Sequence, residues 1–169
     1  MPLDREKLMG FLKTIDSRLG ATIEVTAVGG TAMTLLGIKS STIDIDFNAD
    51  EEAYGVFKEA LGSMPHGYRI DLYSNGLIFS QQLPDDYVDK RLPIETSFKK
   101  LGLYALHPID IVATKIGRLN ERDIEDIKSC ISKYHLTKKG ISLRAEQTEY
   151  VGRRENYESN LKYVLEKLF

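Results

Sequence analysis

Residues 28–47 read VGGTAMTLLGIKSSTIDIDF, and within them Asp44 and Asp46 alternate with Ile43, Ile45 and Phe47. In an extended strand, residues two apart project from the same face. Both carboxylates then stand side by side, and the apolar residues share the opposite face. A one-residue slip would bury both acids, so the register is fixed. Two carboxylates held this way repel unless a cation or a proton lies between them. Paired hard oxygens suit a divalent ion such as magnesium. Two such ions about 3.5–4 Å apart can organise an in-line displacement at phosphorus. Gly29 and Gly30 lie upstream, where an apolar run gives way to a short helical pattern. Glycine there lets a ligand approach the backbone closely, and the N–H groups of a starting helix favour phosphate. A D-x-D on a strand is most often a solvated edge, and Gly-Gly most often only a turn. The order strand, Gly-Gly, helix, strand with D-x-D is far less common by chance.

Competing motifs fail. The stretch DIDFNADEE begins like a calcium-binding EF-hand loop, but that loop needs Gly at its sixth position and Glu at its twelfth, where Ala49 and Gly55 stand. GGTAMTLLG supplies neither a G-x-G-x-x-G dinucleotide fingerprint nor the G-K-[ST] of a Walker loop.

The elements that must position these residues follow from periodicity. Leu8, Phe11, Leu12, Ile15 and Leu19 recur at helical spacing, with Asp4 as cap and Gly20 as stop. TIEVTAV and TIDIDFN read as strands around a short helix ending at Gly37. Asp50 caps a helix containing Tyr54, Phe57 and Leu61, and YRIDLY is a third strand. LIFSQQL and FKKLGLYAL are weaker strand patterns, and LPDDYVDKRLP reads as a loop or edge. From Pro108 the period is helical, with helices predicted near 109–119, 121–134, 138–150 and 154–168. A capping-box-like restart occurs at Asn120 and Asp123. These patterns predict an α/β (α+β) chain, with a mixed-sheet core over residues 1–107 and a helical C-terminal subdomain packed on it over 108–169.

The 169 residues suit one domain with an appendage, and a net charge of −2 gives no global signal for nucleic acid or membrane. The first two thirds are net acidic and the last third net basic, a pattern that solvated helix faces explain as well as an anion site does. A single cysteine, Cys130, excludes an intrachain disulfide and a cysteine-based zinc site. It falls at helical spacing from Ile127 and reads as packing. With charged residues at positions 4–7 and no apolar span, a cytoplasmic protein without a membrane segment is expected.

The stretch VGGTAMTLLGIKSSTIDIDF resembles the signature of the DNA-polymerase-β-like nucleotidyltransferases, in which a Gly-[Gly/Ser] turn, a short helix and a strand bearing D-x-D follow in order. The T-x-D-I-D form, with LHPIDIVATKIGRLNERDIEDI downstream, is most similar to the AbiEii-type and related prokaryotic branches. The resemblance spans roughly residues 25–130. It implies a nucleotidyltransferase-fold core and transfer of a nucleoside monophosphate from an NTP to an acceptor hydroxyl with two divalent metal ions, Mg2+ (or Mn2+), as cofactor. It implies Asp44 and Asp46 as metal ligands and catalytic residues, joined by a third carboxylate best matched by Asp71, flanked by Ile70 and Leu72. Gly29, Gly30 and Thr31 would seat the phosphates, and Lys115 matches a lysine that meets the triphosphate. The acceptor could be a small molecule, a tRNA or a protein, the last two as in the toxin of a toxin–antitoxin pair. A non-catalytic nucleotide- or partner-binding module on the same fold is the reading from another class. Relatives often carry Arg two residues before the motif's Thr, where this chain has Ser40 beside Lys39. Asp85, Asp86, Asp89 and Glu95 compete with Asp71 for the third-carboxylate role.

Bland readings stand beside these. Lys115 and Arg118 fit a solvated helix face equally well, Arg122 and Asp126 fit an i,i+4 pair, and Asp123 fits a cap. His66, His107 and His135 lie far apart and suggest no metal site. Tyr134, Tyr150, Tyr157 and Tyr163 fit helix interfaces better than an RNA-facing surface.

Overall fold

The computed structural model describes residues 2–169. In chain order the elements are β1 (Leu3–Asp4), α1 (Arg5–Arg18), β2 (Ile23–Ala27), α2 (Gly29–Leu35), β3 (Ser41–Thr42), β4 (Ile45–Ala49), α3 (Glu51–Gly62), β5 (Ile70–Ser74), β6 (Leu77–Ile78), β7 (Gln81–Gln82), α4 (Tyr87–Lys90), β8 (Leu92–Pro93), β9 (Leu101–Ala105), α5 (Pro108–Ile116), α6 (Glu121–Tyr134), α7 (Lys138–Gln147), β10 (Glu149–Tyr150) and α8 (Arg154–Lys167). The mixed α/β class predicted from the sequence is the class observed. The chain divides into two compact units, residues 1–75 with 91–106, and residues 76–90 with 107–169.

The first unit is built on a five-stranded mixed sheet of order β5-β4-β2-β9-β8. β4 runs antiparallel to β2 and parallel to β5, and β2 runs parallel to β9. Ile23, Val25 and Ala27 of β2, Ile45, Phe47 and Ala49 of β4, and Leu101, Leu103 and Ala105 of β9 are all buried. This period-two pattern gives the sheet one apolar face. Helix α3 packs there through Phe57, whose ring centroid lies 5.4 Å from that of Phe47. Full burial of each such side chain contributes roughly 1.5–3 kcal/mol. Local signals fix the helix starts. Asp4 accepts the Lys7 N–H at 2.9 Å and Asp50 that of Ala53 at 2.8 Å, each satisfying a donor the first turn leaves unpaired.

Strand 42–48 does not form as the alternation predicts. β3 ends at Thr42, β4 starts at Ile45, and the chain bends at residues 43 and 44, leaving Ile43 55% exposed. The cause is local. Thr42 Oγ1 donates to the Asp44 carbonyl at 2.7 Å, a side-chain-to-backbone bond that competes with ladder pairing.

The second unit carries four of its helices in the C-terminal stretch. Asn120 and Asp123 form a reciprocal capping box at the start of α6. Tyr157 of α8 is fully buried and donates its hydroxyl to the Ala113 carbonyl at 2.8 Å. Cys130 is buried, and that burial pushes its thiol up to about 12, which fits a packing role. Residues 77–83 give a tight hairpin rather than one strand. β6 and β7 pair around Phe79 and Ser80, and β10 joins β7 where α7 was predicted to continue to residue 150. Among the described residues no helix is long and apolar enough to cross a membrane.

Candidate active site

The glycines open α2 rather than preceding it. Val28 caps the helix and Gly29 and Gly30 are its first residues. Gly29 has φ +53°, a backbone region that side chains disfavour. Gly30 meets a different constraint, because a Cβ built there would lie 2.9 Å from Thr42 Oγ1. The helix is therefore brought against the segment that leads into the acids.

Thr31 joins the two motifs. Its hydroxyl donates to the Asp44 carbonyl at 3.2 Å and accepts the Asp46 N–H at 2.9 Å. The Val28 N–H in turn donates to the Asp46 carbonyl at 3.0 Å. The main chain of both acids is thus held from the glycine turn. N–H groups in the first turn of a helix have no partner within the helix, which leaves the backbone of Gly29, Gly30 and Thr31 suited to donate to a ligand's oxygen.

Asp46 and Asp71 are paired residues in the parallel β4–β5 ladder. Paired residues on neighbouring strands share a face, so these two carboxylates project from the sheet together. Asp46 is 6% exposed, whereas the Asp71 side chain is 38% exposed and lies 3.7 Å from Arg69 Nε. Asp44 stands half-buried in the bend, two residues before Asp46. Among the described residues no group of three or more His, Cys, Asp and Glu side chains is gathered as a metal cage. The donor set nonetheless fits magnesium, which keeps several waters and is bound through one or two carboxylates together with substrate phosphates. Asp46 and Asp71 supply that pair. Of the residues that competed with Asp71, Asp86 instead accepts a hydrogen bond from Arg144 at 2.9 Å in the second unit.

The same sheet face carries a polar row that the motif analysis missed. Asn48 pairs with Thr26 on one side and Tyr73 on the other, and Thr26 pairs with Tyr104. Arg91 lies over this row. It donates to Thr26 Oγ1 at 3.2 Å and to Glu24 Oε1 at 2.7 Å, and its guanidinium sits 3.7 Å from the centroid of the Tyr104 ring. Asn48 continues the alternation of Asp44 and Asp46 and was detectable on that ground. Arg91 was not, since its hydrogen-bond partners lie more than sixty residues away in the chain.

Lys115 is neither on a solvated face nor available as an isolated cation. It is 4% exposed, and its ammonium lies 3.0 Å from Asp126 and 3.5 Å from Asp123. Arg118 adds two bonds of 2.8 Å to Asp123. Burial works to raise the Asp123 pKa. Arg118, Lys115 and the Asn120 N–H outweigh it and hold the carboxyl below the usual carboxylate range. Asp126 therefore pairs across helices with Lys115, as well as standing at i,i+4 spacing from Arg122. Lys115 and the acid site belong to different units.

Comparison with known protein families adds an independent finding. The family model described as "Nucleotidyltransferase of unknown function (DUF6036)" matches residues 6–164. No curated protein and no solved structure matches the chain. The match covers nearly the whole sequence, including the glycine turn, the D-x-D motif, Asp71 and the C-terminal helices, and the chain belongs to the DUF6036 family of nucleotidyltransferases.

Proposed function

We propose that the protein transfers a nucleoside monophosphate from an NTP to an acceptor hydroxyl, with Asp44, Asp46 and Asp71 as its metal-binding and catalytic residues. The pairing of Asp46 with Asp71, on the face next to the glycine turn, carries this reading. Asp46 and Asp71 would hold the divalent ion, Mg2+ or Mn2+, with Asp44 at the edge of the same site. Bound there, the ion would supply Lewis-acid stabilisation of charge on the phosphoryl oxygens.

The chain's own residues do the rest. Gly29, Gly30 and Thr31 present backbone N–H groups to the phosphates, and the glycines keep that surface free of side chains. Asp71, the more exposed acid, accepts the proton of the attacking hydroxyl. The hydroxyl oxygen bonds to the α-phosphorus as the bond to the pyrophosphate oxygen breaks, and pyrophosphate leaves with the electron pair. Rate enhancement in such a transfer comes mostly from fixed charges and dipoles already in place. Lys115, held by two aspartates, acts in this reading as a prop between α5 and α6.

The test is incubation with Mg2+ and each α-labelled NTP in turn, with total tRNA, total protein and small alcohols as acceptors. Label transferred by the wild type and lost in Asp46→Asn supports the reading. Transfer to tRNA or protein would favour the toxin-like alternative. Nucleotide binding without transfer to any acceptor would leave the non-catalytic module.

A further inference from the structure

We propose that Thr42 is a positioning residue of the acid site, acting on Asp44 and itself held by the strand at residues 3–4. This inference rests on the reading of Asp44, Asp46 and Asp71 as metal ligands. Three observations meet at Thr42. Its hydroxyl donates to the Asp44 carbonyl at 2.7 Å, the shorter of the two bonds that this carbonyl accepts. Its Oγ1 occupies the space a Cβ at Gly30 would need, so the same atom touches both the acid segment and the glycine turn. Its backbone is paired with Leu3 in the β1–β3 ladder.

The consequence follows from chain geometry. Asp44 lies outside the β4 ladder, so no strand pairing dictates the direction of its side chain. Two hydroxyls on its carbonyl do so instead. Fixing the peptide plane after Asp44 fixes ψ at Asp44, and with the Asp46 N–H bound by Thr31 the two acids keep a constant relation. The anchor of Thr42 is equally defined. Leu3 is 1% exposed, and Arg5, two residues on, donates from Nε to the Leu35 carbonyl at 3.2 Å, at the far end of α2. Residues 3–5 thus hold both the strand before the acids and the helix after the glycines. Thr42 transmits that hold to Asp44.

The experiment measures Mn2+ binding by the full chain, with metal alone as the probe, for wild type, Thr42→Val, Thr42→Ser and Asp44→Asn. Melting temperatures are taken in chelator. Valine keeps the shape of threonine and removes the hydroxyl, whereas serine keeps the hydroxyl. The expected result is an affinity at least tenfold weaker in Thr42→Val, restored to within about threefold in Thr42→Ser, with both variants melting close to wild type. A merely structural role would move the melting temperature and leave the affinity of the folded protein unchanged. Should Thr42→Val fail to fold, Gly30→Ala reaches the same contact from the other side. It is expected to weaken Mn2+ binding by displacing the Thr42 hydroxyl, and unaltered affinity there overturns the proposal. Wild-type affinity in Thr42→Val with loss in Asp44→Asn overturns the positioning role and leaves the metal site standing. Equal affinity in wild type and Asp44→Asn, or no binding by either, overturns the role of Asp44 and this inference with it.

Discussion

Replacing Asp71 with Asn separates a metal site from a solvated pair of acids. Asp46 and Asp71 are directly paired on neighbouring strands, and such strands lie about 4.8 Å apart. With the side chains splayed slightly, the two charges stand roughly 6 Å apart. Their repulsion is then about 0.7 kcal/mol in a fully aqueous dielectric and about 2.8 kcal/mol at an effective dielectric constant near 20. Asp46 is 6% exposed and the Asp71 side chain 38% exposed, so the pair lies between these limits. Arg69 lies 3.7 Å from Asp71, but its side chain is 75% exposed, and such a surface pair offsets about 0–1 kcal/mol. A net relief of about 1 kcal/mol in Asp71→Asn corresponds to a rise in melting temperature of about 2–4 °C for a chain of this size. That rise is expected in chelator at low salt. In about 10 mM Mg2+, with a Kd on the order of 0.1 mM, the wild type gains ~2.7 kcal/mol from binding to the native state alone. The metal-induced rise is then about 5–11 °C by the same conversion. Asp71→Asn should lose most of it, so the order of melting temperatures inverts between chelator and metal. Differential scanning calorimetry of the two proteins in both buffers reads this directly. An Asp71→Asn protein that melts with the wild type in chelator and keeps the full metal-induced rise would refute the pairing argument and remove Asp71 from the site.

Three further outcomes follow from groups outside the acid site. Lys115→Met leaves the buried Asp123 and Asp126 short of their shared cation, and loss of one partner of a buried pair costs roughly 3–5 kcal/mol. Urea unfolding should show this loss with nucleotide absent, and unchanged stability would instead favour a ligand-binding lysine. Asp16 accepts the N–H groups of Lys99, Lys100 and Leu101 at 3.0, 2.7 and 2.9 Å. Burial works to raise its pKa, and these bonds outweigh it and hold the carboxyl below the usual range. The contribution is therefore present above the unfolded carboxylate pKa and lost as pH falls through the lower folded value. Asp16→Asn should cost about 1 kcal/mol at neutral pH, a difference from wild type that shrinks toward zero in acid unfolding titrations. His107 caps α5 by accepting the Ile109 N–H on Nδ1 at 3.0 Å. Burial, aided by Lys90 and Arg144 against the pull of Asp110, lowers its pKa below the ordinary histidine value. The unfolded chain then binds the proton more readily, so stability falls as pH drops from about 6.5 toward the folded pKa. His107→Asn, which keeps a capping acceptor, should flatten the slope over that interval.

What was legible in the sequence was what local chemistry decides. Asp4, Asp50 and the Asn120–Asp123 box announce helix starts because each cap is completed within three residues. The apolar face of the sheet follows from period-two patterning in β2 and β4. The glycine turn and the acids could be named together because their order along the chain mirrors their neighbourhood in the fold. What escaped was set by distant partners. The Asp44 carbonyl is taken out of the ladder by the neighbouring Thr42 hydroxyl together with that of Thr31, which only the fold brings there, and the alternation that suggested a continuous strand ends with Ile43 exposed. The pairing of β7 with β10 joins residues nearly seventy positions apart. Lys115 could be assigned to a solvated face or to a triphosphate, because periodicity does not reveal that α6 turns two aspartates toward it. Arg91 sits in a stretch that reads as a loop, and only the fold brings it over Thr26 and Glu24.

The hydrogen bonds around the acids show where the fold invests its constraints. The hydroxyls of Thr31 and Thr42 go to the main chain of Asp44 and Asp46. The Val28 N–H is likewise committed to the Asp46 carbonyl. The main chain at each acid is thus held by bonds from neighbouring elements. Each of the three constraints originates in a different element: the residue before the glycine turn, the helix that follows it, and a strand held by the segment at residues 3–5. Loosening any one would leave Asp44 and Asp46, two like charges on one segment, without a fixed relation. Preorganisation of this kind lowers what a ligand must supply on binding. Metal binding should accordingly proceed with little change in backbone structure, and amide exchange at Val28 and Asp46, whose N–H groups are both bonded, should already be slow in chelator. Fast exchange at both amides, slowed only by Mg2+, would mean that the ligand builds the site and that the threonines do not.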